Sequence, residues 1–137
     1  MKRWSVDVNQ HDEQGHRTGP WEERFKDGSL SGEGGYLDGE KSGEWRYFLK
    51  GGAMKASGSY RHGLLVGPWV WHRATGGVLQ EGAFDDNGKQ TGLWKRYHSN
   101  GALMDVGEYE AGKKIGEWEH HDTDGKLTRT TRHRTSP

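Results

Sequence analysis

Residues 101–118 read Gly101-Ala102-Leu103-Met104-Asp105-Val106-Gly107-Glu108-Tyr109-Glu110-Ala111-Gly112-Lys113-Lys114-Ile115-Gly116-Glu117-Trp118. No helical period of apolar residues runs through them. Gly107 and Tyr109 stand two apart, and so do Gly116 and Trp118, which is the period of one face of a strand. Glycines bound the short segments, as turns do. The stretch therefore predicts short antiparallel strands, each carrying one large ring and one bare backbone position.

The same marks recur outward in both directions. Gly-x-Trp stands at Gly19/Trp21, Gly43/Trp45, Gly67/Trp69, Gly92/Trp94 and Gly116/Trp118, in steps of 24, 24, 25 and 24. Seven residues after each Trp is a glycine: Gly28, Gly52, Gly76, Gly101, Gly125. Nine after is an aliphatic: Leu30, Met54, Val78, Leu103, Leu127. Thirteen after is Gly34, Gly58, Gly82 or Gly107, and fifteen after is Tyr36, Tyr60, Phe84 or Tyr109. An internal repeat of this length is the first feature that constrains a fold. The units predicted are 19–42, 43–66, 67–91, 92–115 and a partial 116–127. A degenerate half-unit, 1–18, precedes them as a cap, and a basic tail, 128–137, follows. The one extra residue falls between Phe84 and Gly92, where a turn tolerates it.

Composition supports a thin core built from rings. Only 29% of the 137 residues are hydrophobic, yet there are seven Trp, five Tyr and 23 Gly. Such polarity alone would suggest disorder. Regularly placed indoles can replace many aliphatic side chains. Lys+Arg and Asp+Glu balance at 20 each and are spread along the chain, which argues against a nucleic-acid partner. The basic run of Lys126, Arg129, Arg132 and Arg134 reads as a solvated, frayed end rather than a binding tail. No cysteine is present, so disulfides and thiolate metal sites are excluded. The start, Met1-Lys2-Arg3-Trp4-Ser5-Val6-Asp7, turns polar too soon for a signal peptide, and a cytoplasmic location is expected.

A register follows from the turns. Asp27-Gly28, Asn100-Gly101 and Asp124-Gly125 suggest two-residue type I′ hairpins, with Gly51-Gly52 suited to the same turn and Thr75-Gly76 less so. A first hairpin whose paired numbers sum to 55 sets Trp21 opposite Gly34, and likewise Trp45/Gly58, Trp69/Gly82 and Trp94/Gly107. A second family, summing to 79, sets Tyr36 opposite Gly43, Tyr60 opposite Gly67 and Tyr109 opposite Gly116. Each ring then has bare backbone to lie on. Trp21, Trp45, Trp69, Trp94 and Trp118, with Tyr36, Tyr60, Phe84 and Tyr109, form a structural ladder on one face. The expected fold is all-β: an elongated antiparallel β-hairpin array of about five 24-residue units in a single twisted or rolled sheet. At usual strand spacing it is roughly 45–50 Å long.

The pattern Gly-x-Trp, x-Gly-x-Leu, Gly-x-Tyr, Gly-Lys-x-x-Gly-x-Trp resembles the MORN repeat. It is most similar to the bacterial variant in the YwqK-type antitoxin family. Gly101, Leu103, Gly107, Tyr109, Gly112, Lys113, Gly116 and Trp118 carry the match best, and residues 15 to 127 share it. The third unit departs from it at Trp71, His72 and Gln80 and by the extra residue. The resemblance implies a β-hairpin array and an antitoxin or immunity protein that binds a toxin. Eukaryotic relatives imply scaffolding or membrane contact instead. It implies no catalytic residue.

The residues themselves point the same way. His72, His98, His120 and His121 follow repeat tryptophans but show no metal-ligand spacing, and read as solvated strand histidines. Asp85-Asp86 reads as a turn pair before Asn87-Gly88, not as a general acid and base. No nucleophile elbow, metalloprotease motif or phosphate loop occurs. Catalysis, cofactor and metal are therefore not expected. The face opposite the Trp row gathers Phe48, Val70, His72, Leu79, Lys95, Tyr97, Met104 and Val106 in units two to four. Two readings stand: an interface, or, slightly preferred, a second small core under a rolled sheet. If it is an interface, Tyr97 with Lys95 and Arg96 is its expected centre. The expected function is a protein-binding immunity protein or antitoxin that occludes a toxin. The alternative is a scaffold for membrane association or protein assembly, and sheet edges leave self-association open.

Overall fold

Two kinds of turn cut the chain into strands. At Asp38-Gly39, His62-Gly63 and Ala111-Gly112 both central residues have positive φ (52° and 82°, 51° and 78°, 49° and 85°). Their flanks, Leu37 with Glu40, Arg61 with Leu64 and Glu110 with Lys113, pair directly. These are the two-residue type I′ hairpins, whose twist suits the strands they join. The turns expected to be of that kind are different. At Asp27-Gly28 the Phe25 N–H donates to Ser29 O and the Gly28 N–H to Phe25 O, both at 2.9 Å. The loop therefore has three residues, and Gly28 sits at φ 91°. Equivalent closures join Arg73 to Gly77, His98 to Ala102 and Asp122 to Lys126. Asp-Gly suits both loop lengths, so the dipeptide alone did not choose between them.

The computed structural model describes residues 7–134. The first six residues of the expected cap and the last three of the expected tail lie outside them. The strands are β1 (Gln10–His11), β2 (Arg17–Arg24), β3 (Leu30–Leu37), β4 (Glu40–Phe48), β5 (Met54–Arg61), β6 (Leu64–His72), β7 (Val78–Phe84), β8 (Gln90–Tyr97), β9 (Leu103–Glu110), β10 (Lys113–His121) and β11 (Leu127–His133). They form one open antiparallel sheet in chain order, β1 to β11. There is no helix among the described residues. Among the described residues no second layer covers either face, because every extensive strand contact is between sequence neighbours. The expected frayed tail is instead strand through His133, with Thr128, Thr130 and Thr131 suited to the pleat and Trp118 opposite Thr131.

From β2 to β11 the register is broken once between each pair of neighbouring strands, and the breaks build the core. Trp21/Gly34, Trp45/Gly58, Trp69/Gly82 and Trp94/Gly107 are directly opposed, as expected. Near the three-residue loops the pairing runs one out, as in Arg24/Leu30, and a one-residue bulge restores it at Glu23/Gly32. Across the other hairpins the expected pairing of Tyr36 with Gly43 does not form. Tyr36 pairs with Lys41 there and with Gly19 on its other side. Between Gly35/Ser42 and Glu33/Arg46, the single Gly34 faces Gly43, Glu44 and Trp45. Gly43 turns this wide bulge at φ 75°. The arch opened in β4 is filled by the Trp45 indole, which lies over Gly34 so closely that a Cβ there would overlap it.

The indole also mends the ladder that the bulge interrupts. Trp45 Nε1–H donates to Gly35 O at 2.9 Å. Trp69 donates to Ser59 O at 3.0 Å, Trp94 to Ala83 O at 3.1 Å and Trp118 to Glu108 O at 3.2 Å. The same three rings lie over Gly58, Gly82 and Gly107. Each ring thus rests on the glycine of the preceding strand pair, not on the one opposite its own backbone. Tyr36, Tyr60, Phe84 and Tyr109 meet the indoles edge-on at 5.2–6.2 Å between centroids. Trp45, Trp69, Trp94 and Trp118 are at most 4% exposed, in a sheet one layer thick. At about 25 cal/mol per Å², each ring withdrawn from water contributes roughly 4–6 kcal/mol as an upper bound. Trp21 is the exception. Only two-residue β1 precedes its strand, and its indole N–H is buried with no acceptor among the described residues.

Candidate functional site

The pairing assigns side chains to the two faces, since directly opposed residues share a face. Tyr47 stacks on Trp45 at 5.7 Å and Trp71 on Trp69 at 5.7 Å. From Tyr47 the row runs through Ala56, Trp71, Gln80, Arg96, Asp105, His120 and Arg129. This is the Trp face. One residue along, the row Arg46, Ser57, Val70, Glu81, Lys95, Val106, Glu119 lies on the second face.

The structure therefore brings some of the expected interface residues together and separates another. Val70, Lys95 and Val106 lie in one row across β6 to β9 with Glu81 between the first two. Tyr97 joins them, its hydroxyl donating to Glu81 Oε1 at 2.9 Å. Burial, then the Glu81 carboxylate, raises the Tyr97 phenol above its ordinary range. Leu79 and Met104 are the unopposed residues of one-residue bulges, and Leu79 is 39% exposed. Phe48 and His72 pair with Met54 and Val78 beside equivalent bulges. None of these residues is buried except by its neighbours in the sheet, so the preferred sequence reading of a second core gives way. Pro68 and Leu93, unnoticed in the sequence, join Val70, Glu81, Ala83 and Lys95 around a shallow hollow of about 280 Å³. Arg96, expected beside Tyr97, points the other way.

On the Trp face, Arg96 grips Asp105. Its Nε–H donates to Oδ1 at 3.0 Å and to Oδ2 at 3.2 Å, and Nη2 also reaches Oδ2. Asp105 is 1% exposed, and its hydrogen bond raises the Arg96 guanidinium further above its usual value. Toward the other end, Lys41 Nζ donates to Tyr47 OH at 2.7 Å, and the Tyr47 and Tyr60 hydroxyls share a hydrogen bond at 2.9 Å. Burial lifts both phenols. The ammonium sits 4.7 Å from the Trp45 ring.

The histidines stay apart as ligands. His98 Nε2 meets the His121 carbonyl at 2.8 Å, and His120 Nε2 meets Thr131 Oγ1 at 3.2 Å. Burial, then Arg129, lowers the His120 pKa. Asp85 closes its turn by accepting from the Asn87 and Lys89 N–H groups, while Asp86 faces Arg61 at 3.7 Å. Among the described residues one group, Asp12, His16 and Asp38, sets three ligand atoms within 4.8 Å of one another. Asp12 is already engaged as a turn residue, its Oδ1 accepting from the Gln14 and His16 N–H groups. Asp122 does the same for its own loop. Compared with known protein families and with curated proteins, the chain matches no family model and no curated sequence.

Proposed function

We propose that this chain is a binding protein of the MORN-like repeat type, built as five hairpin units, which neutralises a toxin by covering it. The supporting observation is the second face. Val70, Glu81, Lys95, Val106 and Tyr97 form a mixed apolar and charged row with no layer over it among the described residues. Apolar surface rimmed by charge is the composition of protein interfaces. The opposite face is locked by its indole row, so the platform is rigid and loses little entropy on binding.

The test joins binding to physiology. Tagged protein is used to retrieve partners from its native lysate, and each partner is then expressed alone and together with this chain. A stoichiometric partner that is toxic alone and silenced by this chain supports the reading. The Tyr97→Ala variant should keep the fold and lose the rescue. Recovery of lipid, or of several unrelated proteins, moves the weight to a scaffold. Unfolding of the Tyr97→Ala variant would remove the second face from the proposal.

A further inference from the structure

The Trp face changes character along its length. Four side chains line each step: those four before and two, eleven and fifteen after the Trp. Around Trp45 they close on themselves through the chain of Lys41, Tyr47 and Tyr60. Around Trp69 and Trp94, Leu65, Trp71 and Phe84 occupy the corresponding positions with apolar bulk. One step later, Arg96 stands where Tyr47 and Trp71 stand, and it is drawn aside onto buried Asp105. The space an aromatic ring fills elsewhere is left as a hollow of about 220 Å³.

The groups around that hollow hold unspent donors. Tyr109 OH and the side-chain amides of Gln80 and Gln90 make no hydrogen bond among the described residues, unlike Tyr60 OH and Tyr36 OH. Arg96 commits Nε and Nη2 to Asp105, leaving Nη1 free. Lys114 Nζ stands 4.6 Å over the Trp118 ring, with no carboxylate partner among the described residues. Asp105 cancels the charge of Arg96, and Lys114 leaves the hollow with one net positive charge. The volume is that of roughly seven waters, below the size of a drug-sized ligand site.

We infer that this hollow binds a carboxylate group, held by Arg96, Lys114, Tyr109 and the Gln80 and Gln90 amides over the Trp94–Trp118 step. A carboxylate matches the donor set: it accepts only, carries the compensating charge, and is small enough to enter. It can come from a free small acid or from an acidic side chain of a bound protein. The site is on the face opposite the proposed toxin surface and does not depend on that reading.

The experiment uses ¹⁵N-labelled full-length protein. It is titrated with sodium succinate and, separately, with an N-acetylated, amidated Gly-Glu-Gly peptide, at ionic strength fixed with sodium chloride. Saturable shifts are expected in the indole N–H of Trp94 and Trp118 and in the Arg96 Nε–H, with the Trp21 indole unmoved. Tighter binding of succinate identifies a free acid as the natural source. Tighter binding of the peptide identifies a protein side chain. Tyr109→Phe retains the ring and the melting temperature, and should weaken binding about tenfold or more. Lys114→Gln, at an exposed position, should weaken it similarly. Shifts that do not saturate, or shifts that sodium chloride reproduces, overturn the assignment. So do affinities that both variants leave unchanged.

Discussion

Adding one methyl group at Gly58 tests the core directly. Its backbone is not in the left-handed region, so alanine fits the main chain. Relative to glycine, alanine at an unstrained site gains about 0.4–1 kcal/mol by restricting the unfolded chain. At Gly58 the new Cβ would overlap the Trp69 indole at three ring carbons. Relief to an ordinary contact of about 3.5–4 Å lifts the ring by more than an ångström. That breaks the 3.0 Å bond to Ser59 O, worth about 1 kcal/mol, and loosens the 5.2 Å edge contact with Tyr60. Overpacking adds about 1–3 kcal/mol. Gly58→Ala should therefore cost roughly 2–4 kcal/mol net. Gly77 supplies the control: it has no atom within 4 Å of its added Cβ and no positive φ. Gly77→Ala should be neutral or stabilising by up to about 1 kcal/mol. Urea unfolding followed by circular dichroism and indole fluorescence measures both. In a Trp69→Ala background the cost at Gly58 should vanish, because the clash is gone. Equal midpoints for Gly58→Ala and Gly77→Ala would refute the account of indoles seated on glycines.

Three further outcomes follow from particular contacts. Trp21→Phe should cost less than Trp45→Phe, by about 1 kcal/mol in urea melts, because only the Trp45 N–H has an acceptor to lose. Ala111→Asn should raise the melting temperature, since Ala111 sits at φ 49° and Asn-Gly suits a type I′ turn better; a fall would mean the turn is not of that type. His120 should titrate below its ordinary 6.5 in a proton NMR series, and Arg129→Gln should move it upward. Because the folded pKa is depressed, the unfolded chain binds the proton more readily, and His120 favours folding less as pH falls through that window. An unshifted midpoint would contradict its burial among cations.

What was legible in the sequence was whatever depends on two-residue alternation. A single all-β sheet with rings on one face followed from the spacing. The Trp/Gly backbone pairs at 21/34, 45/58, 69/82 and 94/107 were reached through two-residue loops that do not form, and they hold because the longer loop and the one-residue bulge beside it cancel. The bulges were not legible. A uniform register through Tyr36/Gly43 fits the spacing equally well. Only the positive φ of Gly43 and the two extra residues in β4 show that the chain arches there. Grouping Arg96 with Tyr97 was a separate error, since strand alternation alone places successive residues on opposite faces. The hollow was missed because its residues are unremarkable singly. Gln80, Gln90, Asp105 and Lys114 come from four strands, and their meeting depends on the register that the bulges set. One signal was available: the position two after the Trp changes from Tyr47 and Trp71 to Arg96.

The extra residue in the β7–β8 hairpin shows why the glycine positions, rather than the loop lengths, fix this architecture. Where Asp38-Gly39 makes a two-residue turn, the corresponding segment after Phe84 has one residue more. It closes as a three-residue loop, with Asp85 N–H on Lys89 O at 2.8 Å and Gly88 N–H on Asp85 O at 2.9 Å. Beyond it the pairing runs Ala83/Thr91 and then Glu81/Lys95, with the same two-residue slip as Gly35/Ser42 to Glu33/Arg46. Gly92 has φ 69°, close to Gly43 and Gly67, and Trp94 still lies over Gly82. The insertion is thus absorbed outside the bulge, and the indole seat is unchanged. The series of seats ends by the same rule. The position of Gly34, Gly58, Gly82 and Gly107 is taken in β11 by Thr131. Its Cβ occupies the place where another indole would lie, so no further strand of the same kind can dock beyond β11 with its ring in register.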